Sequence, residues 1–147
     1  MGYIDLNAIS FTLPDGRPLL DEVTFRVGNG STTALIGQNG AGKTTLVRHF
    51  NGLLQPASGS VMIGDWDTKK TSVAKLASRV GYVFQNPDEQ LFTKDVATEI
   101  RFGPRNLGYS KEKIDELVTR ALALTELSDK TETNPYDLSP TWRKMVA

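Results

Sequence analysis

The sequence predicts an α/β protein, because strand-like and helix-like segments meet around one glycine-rich loop. Residues 32–36 form a β-branched and apolar run that is typical of a buried strand. Residues 37–45 follow as a loop with three glycines, and residues 45–50 then carry apolar side chains at helical spacing. Strand-like alternation before this unit and a helical pattern after it support the same fold class.

The segments before the loop predict antiparallel β structure. Residues 3–6 and 9–13 are strand-like runs that end in a turn at residues 14–16, and residues 23–27 alternate apolar with polar side chains. Beyond the loop, residues 60–63 predict a short strand.

The remaining segments become helical near residue 86. We expect a loop helix from about Gly42 to Phe50 or Asn51, stopped by Gly52. The further predicted elements are a short helix at 72–77, a buried strand at 80–84, a helix at 95–102 that ends near Gly103-Pro104, and a helix from the N-cap Ser110 to about Thr125. The sequence therefore predicts two domains, residues 1–85 and 86–147.

Composition limits the classes of function. The 147 residues contain 17 basic and 17 acidic side chains, so no net charge attracts nucleic acid or anionic lipid. The chain has no cysteine, which excludes disulfides and thiolate metal sites. No apolar run approaches the length that crosses a bilayer, so we expect any membrane role to depend on a partner rather than on direct insertion.

The loop fits the phosphate-loop pattern G-x-x-x-x-G-K-[ST], and a strand before it and a helix after it are the context that such a motif requires. Its glycines let successive backbone N–H groups converge on phosphate oxygens, and the helix N-terminus favours the same anion. Lys43 would neutralise the β- and γ-phosphates, and the Thr44 hydroxyl would bind Mg²⁺. The alternative is an ordinary glycine-rich turn before a helix. We predict that the nucleotide is bound by Gly37, Gln38, Asn39, Gly40, Ala41, Gly42, Lys43, Thr44 and Thr45.

Further segments resemble the ATP-binding subunits of ABC transporters over the whole chain. Residues 37–45 match the Walker A loop of that family, and Gly81–Gln85 match its Q-loop. Residues 84–92 and 102–108 look like the branch that serves energy-coupling-factor importers and cobalt or nickel importers.

The resemblance implies a core of the P-loop NTPase type with an antiparallel β subdomain and an α-helical subdomain. It also implies a head-to-tail pair of ATPase subunits, in which each ATP lies between the Walker A loop of one subunit and the signature loop of the other. Gln85 would sense the γ-phosphate and Mg²⁺ and would act in catalysis together with Lys43. The pair would lie in the cytoplasm on the inner face of the membrane, bound to a transmembrane transporter subunit that imports a vitamin or a transition-metal ion.

The signature motif departs from the family pattern. It should read Leu-Ser-Gly-Gly-Gln, but residues 138–142 read Leu-Ser-Pro-Thr-Trp. Pro140 removes an N–H group and fixes φ, whereas Ser139 could still bind a phosphate of the partner's ATP. We expect the site that this signature completes to bind ATP but to hydrolyse it poorly, and the departure favours a different ATPase over a second copy as the partner. The alternative is a tolerated variant.

The position that usually supplies an aromatic ring to adenine is also unusual. The position that aligns with the motif is Leu13. Phe11 or Tyr3 could substitute, although a role in the core is the stronger expectation for Phe11. We therefore expect the base to be held loosely.

The Walker B strand, its catalytic acids and the switch histidine are expected after the signature, so the domain is predicted to be incomplete at its C-terminal side. The run Val61–Asp65 has apolar residues before an acid, but the family pattern places a turn there. The single histidine, His49, is assigned a surface or packing role. We expect these 147 residues to bind nucleotide weakly and to turn it over negligibly.

Three other classes stay open. A soluble ABC-type ATPase acting on DNA or the ribosome is disfavoured by the neutral charge. A phosphate-loop kinase would need arginines over the transferred phosphoryl group, for which Arg101 and Arg105 are candidates. A non-catalytic regulatory fragment is the third.

Overall fold

The computed structural model describes residues 2–147 and consists of two compact units, which divide between Gly81 and Tyr82. The predicted boundary after residue 85 lies a few residues further along the chain. The first unit contains the sheet and the glycine-rich loop, and the second is helical.

The first unit is built on a four-stranded antiparallel sheet of order β2-β1-β3-β4. Its strands are β1 (Ile4–Thr12), β2 (Pro18–Val27), β3 (Ser58–Ile63) and β4 (Trp66–Asp67). The predicted antiparallel β subdomain is therefore present, although the two runs predicted at 3–6 and 9–13 form one continuous strand.

Strand β1 is continuous because it carries a bulge at Ala8, where φ is 46°. Leu6 and Ile9 are three positions apart, which would place them on opposite faces of a regular strand, yet both are fully buried, so the bulge restores the apolar side chains to one face. The Ala8 N–H donates to Thr24 Oγ1 at 2.8 Å. A Cβ on Gly59 of the neighbouring strand β3 would lie 2.3 Å from the Ala8 carbonyl oxygen, so only glycine fits at position 59.

Two short helices pack on the sheet and close the first core. They are α1 (Lys43–Arg48), which is shorter than predicted, and α2 (Val73–Leu76), which is capped by Ser72. The buried side chains of this core are Leu6, Ile9, Leu20, Leu46, Val61, Ile63 and Leu76.

The structure corrects two predicted strands. Residues 32–36 and 80–84 have no regular secondary structure, and Ile36 is 89% exposed instead of buried. Apolar, β-branched sequence favours a strand only when a neighbour supplies ladder hydrogen bonds. Within residues 2–147, no strand pairs with either segment.

The second unit consists of three helices and two single 3₁₀ turns around a separate core. The turns are Pro87–Glu89 and Pro135–Asp137, and the helices are α3 (Val96–Asn106), α4 (Lys111–Leu124) and α5 (Pro140–Val146). Their core contains Leu91, Val96, Val118, Leu122, Leu127, Leu138 and Val146.

The predicted N-cap of α4 is confirmed, but the C-terminal end of α3 differs from the prediction. Ser110 caps α4 by accepting from Lys113 N–H at 3.3 Å, as predicted. Helix α3 begins after its cap Asp95 but continues through Pro104 to Asn106. Pro104 lies in the last turn, so the helix loses one hydrogen bond rather than a series. None of the helices formed by residues 2–147 has the length and apolar character that crossing a membrane requires.

Candidate functional site

The glycine-rich loop has a backbone that only glycine adopts readily. Gly40 and Gly42 have φ values of 83° and 84°, and the Ala41 N–H donates to the Gln38 carbonyl at 3.2 Å. A Cβ on Gly42 would lie 3.1 Å from Leu20 Cδ2 on β2, whereas one on Gly40 would meet nothing within 4 Å. The loop is therefore seated tightly on the sheet at Gly42 and is open at Gly40.

The loop also presents unused hydrogen-bond donors. Within residues 2–147, the N–H groups of Gly40, Gly42, Lys43 and Thr44 donate to no acceptor of the chain. Residues 37–41 are exposed, so these donors lie in or next to a segment that solvent reaches. A row of unpaired N–H groups that ends at a helix start is the geometry that favours a phosphate.

Lys43 folds back over the loop that precedes it. Its Nζ donates to the carbonyl oxygens of Gly37 at 2.7 Å and Gln38 at 2.8 Å. An ammonium group has three N–H donors, so one remains for another acceptor. The positive charge of Lys43 is thus held at the first two residues of the loop, and its contact with the phosphates stays a prediction.

The two threonines that follow differ in exposure. Thr44 is exposed, and its hydroxyl makes no hydrogen bond within the described part of the chain, whereas Thr45 is half-buried. A free hydroxyl oxygen is a hard donor of the kind that Mg²⁺ binds. The residues present therefore fit a magnesium-bound triphosphate: backbone donors and Lys43 for the anion, and Thr44 for the metal.

His49 has a packing role, one of the two that the sequence predicts for it. Its ring is fully buried, lies edge-on to Phe11, and Nδ1 hydrogen-bonds the Thr45 carbonyl at 2.7 Å. Burial lowers the pKa of the imidazole, and the hydrogen bond with Thr45 offsets part of this effect. The ring therefore anchors the end of α1 to the sheet.

The three residues that are candidates for contact with adenine have different surroundings. Phe11 packs on the first core and on His49, which agrees with the expected core role. The ring of Tyr3 is covered by the guanidinium of Arg26 at 4.2 Å. Leu13 is half-buried at the end of β1, where its N–H donates to the Arg17 carbonyl at 2.9 Å. Leu13 remains a prediction.

The run Val61–Asp65 does not supply a free carboxylate. Val61 lies inside β3, and Asp65 forms an ion pair with Arg79. The hydrogen bond from Arg79 is the main reason why the pKa of Asp65 is lowered. Arg79 also covers the ring of Trp66 at 3.4 Å. These contacts agree with the expectation that residues 61–65 have a structural role and do not supply the Walker B acid.

Gln85 belongs to the second unit and lies in an irregular, exposed segment just before Asn86, which caps the turn Pro87–Glu89. Its side chain makes no hydrogen bond within residues 2–147. Sequence reasoning did not single out Lys144, whose Nζ bonds the carbonyls of Phe84 and Gln85. Two consecutive basic residues after the signature were the only sequence signal for it.

The divergent signature begins α5. Ser139 is the exposed N-cap and makes no side-chain capping bond, and Pro140 occupies the first helical turn. Trp142 packs against the second core, and Lys130 Nζ lies 5.4 Å from its ring centroid. The bulk introduced by Trp142 is therefore used in packing within this unit.

The two arginines of the kinase alternative lie in the second unit on α3. Arg101 is paired with Asp115 of α4, so its charge is already compensated. Arg105 is exposed and forms no ion pair with residues 2–147.

The loop conformation, the lysine and the helix start together form, on an α/β fold, the arrangement that favours a bound phosphate. Residues 20–147 match the family model described as ABC transporter, so the chain belongs to the ABC transporter family.

Known relatives agree with this assignment. The energy-coupling factor transporter ATP-binding protein EcfA of Methanothermobacter thermautotrophicus is 41% identical over 146 residues, which are 98% of this chain and 47% of that protein. A protein of Methanothermobacter marburgensis named as an ABC transporter ATP-binding protein is 41% identical over 149 residues, with 54% of its length covered. The chain thus spans about half the length of the curated relatives it matches.

A solved structure shares the fold. The chain superposes with a TM-score of 0.85 and 30% identity on cbiO1 from Clostridium perfringens, which is described as part of the ABC transporter complex cbiONQ. The match covers 99% of this chain and 59% of that one. The predicted fold class and family are therefore confirmed.

Proposed function

We propose that the protein is the ATP-binding subunit of an ABC-type importer, in which ATP binding and hydrolysis drive uptake of a vitamin or a transition-metal ion. The phosphate loop carries this proposal, because its unpaired N–H groups and Lys43 are arranged for a polyphosphate. The likeness to EcfA and to cbiO1 supports the importer branch.

Within the nucleotide site, the loop residues 37–45 hold the phosphates and Thr44 binds Mg²⁺. Bound Mg²⁺ would neutralise charge that develops on the phosphate oxygens. Lys43 donates to a phosphate oxygen through the N–H that its bonds with Gly37 and Gln38 leave available. Leu13 contacts the base, and Gln85 acts as the residue that senses the γ-phosphate and its metal.

The partners follow from the family resemblance. A second ATPase subunit faces the loop, and a transmembrane subunit binds the pair at the cytoplasmic side of the membrane. The signature Leu138–Trp142 acts on the partner's ATP through Ser139. Because Pro140 has no N–H and Thr141 replaces a glycine, that composite site binds ATP and hydrolyses it slowly, and the partner is therefore a different ATPase.

Calorimetric titration with Mg·ATP tests the proposal. The wild-type chain and a Lys70→Ala control should bind, because Lys70 is exposed and lies outside the loop. Lys43→Ala should weaken binding by at least about tenfold, which corresponds to the loss of one charge-assisted contact. Equal affinities for the two variants would contradict a phosphate site at Lys43.

A rate measurement separates binding from turnover. We expect residues 1–147 to hydrolyse Mg·ATP no faster than the Lys43→Ala variant does. A rate well above that variant would show that the catalytic groups lie within these residues.

A further inference from the structure

The segment Phe84-Gln85 has no backbone support of its own. Within residues 2–147, neither residue makes a backbone–backbone hydrogen bond, and neither lies in a helix or strand. Gln85 is exposed and Phe84 is half-buried, so a backbone without support at this position would sample many conformations. The contacts that fix this segment must therefore come from side chains.

Lys144 on α5 supplies the main contact. Its Nζ donates to the Phe84 carbonyl and to the Gln85 carbonyl, the latter at 3.0 Å. Charge-assisted bonds of this kind are stronger than bonds between neutral groups. One side chain thus holds two consecutive carbonyls of the segment that carries Gln85.

Gln90 holds the same segment from its other side. Its Oε1 accepts from the Phe84 N–H at 3.1 Å, and its Nε2 donates to the Ala147 carbonyl after α5. Within residues 2–147, the Phe84 backbone is therefore hydrogen-bonded by two side chains: Lys144, which lies on α5, and Gln90, which also bonds the residue after α5.

Arg143 extends the connection to the next turn and to the signature. Its Nη1 lies 3.0 and 3.2 Å from the two carboxylate oxygens of Asp88, in the turn that follows Gln85. Its Nε donates to the Leu138 carbonyl at 2.9 Å, and Nη2 donates to the Tyr136 carbonyl at 3.2 Å. One guanidinium thus joins the residues after Gln85 to the residue before Ser139.

We infer that Lys144 is a positioning residue that fixes the backbone of Gln85 to the signature helix, with Arg143 as its support. Gln85 and Ser139 then move as one body when nucleotide binds. The inference rests on the proposed ATPase function, in which Gln85 acts on the γ-phosphate side and Ser139 acts on the partner's ATP. Because the Lys144 ammonium is bonded to the carbonyls of Phe84 and Gln85, we expect its effect on the reaction to be transmitted through Gln85.

Steady-state hydrolysis by the full-length protein, assembled with its partner, tests this role. Lys144→Met keeps the length of the side chain but removes the charged donor. We expect kcat to fall by about tenfold, the equivalent of part of one charge-assisted hydrogen bond, while the Kd for ATP stays within about twofold. Lys113→Met is the matched control, because Lys113 pairs with Glu116 on the exposed face of α4.

A double-variant cycle separates positioning from general destabilisation. On a Gln85→Ala background, Lys144→Met should produce no further loss of kcat, because the residue through which it acts is already absent. Lys144→Arg should recover part of the rate. Hydrogen exchange at the Phe84 amide, measured without nucleotide, should be faster in Lys144→Met than in Lys113→Met.

Three results would overturn the inference: an unchanged kcat for Lys144→Met, an equal loss on both backgrounds, or unchanged exchange at Phe84. Absence of ATP binding by the wild-type protein would instead contradict the proposed function. The two failures are distinguishable because ATP affinity is measured for each variant before its rate.

Discussion

The ring of Phe11 in β1 meets the ring of His49 at 82°, with the two centroids 5.1 Å apart. This contact joins the centre of the sheet to the residue that ends α1, and α1 follows directly from the phosphate loop. The position of the loop therefore depends on an uncharged imidazole in an apolar setting.

The first prediction concerns pH. Burial lowers the pKa of His49 below its ordinary value of about 6.5, so near pH 6 the unfolded chain binds more protons than the folded chain. The free energy of unfolding should therefore be highest above about pH 6.5 and should fall as the pH drops below that value. Chemical unfolding at a series of pH values measures this slope, and His49→Gln should flatten it because His49 is the only histidine. The same slope in both proteins would assign the effect to other groups.

The second prediction compares two glycines of the loop. Gly40→Ala and Gly42→Ala both place an L-residue at a left-handed φ, which costs about 1 kcal/mol each. Only Gly42→Ala brings a methyl group to 3.1 Å from Leu20, so it should be the more destabilising of the two by chemical unfolding. Equal losses would mean that Leu20 moves aside freely.

The third prediction concerns the signature. Pro140→Gly combined with Thr141→Gly should raise ATP turnover of the proposed ATPase pair by about tenfold or more, because a backbone donor returns where we propose that the partner's phosphate binds. Trp142 is left in place because it packs against the second core. Pro140→Ala, also combined with Thr141→Gly, restores the N–H without a glycine, so it reports whether the donor or the backbone freedom matters. No gain from either variant would indicate that the departure is tolerated.

The fourth prediction concerns the cap of α3. Asp95 Oδ1 accepts from the Thr98 N–H at 2.8 Å, and this bond is the main cause of its lowered pKa. Asp95→Ala should cost about 1 kcal/mol of unfolding free energy at neutral pH, and Asp95→Asn should cost less because Asn also caps. The contribution of the charge is complete above the ordinary pKa of about 3.9 and is lost as the pH falls through the lowered value. Similar losses for both variants at pH 7 would contradict a capping role.

Local signals were enough to predict several parts of the molecule. The loop pattern predicted a site that the structure supplies with unpaired donors at Gly40 and Gly42, and Ser110 caps the helix that it was predicted to cap. The apolar alternation changes phase between Leu6 and Ile9, and this change predicts two separate strands, whereas the structure has one strand with a bulge. A bulge keeps the strand continuous, and its formation depends on the neighbouring strands.

Other features depend on partners that no local pattern contains. Residues 32–36 have the composition of a buried strand, yet strand formation needs a ladder and none is provided within residues 2–147. The bonds from Lys144 to Phe84 and Gln85 span about sixty positions of sequence, so periodicity gives no sign of them. The supports of the candidate site were therefore less predictable than its motif.

The bulge at Ala8 has a consequence for how this family can diverge. Any side chain at position 59 would strike the carbonyl of Ala8, while straightening β1 would turn Ile9 out of the core. Neither change is tolerable by itself. Relatives that lack the glycine should therefore also lack the bulge, and the two positions should be inherited or lost as a pair.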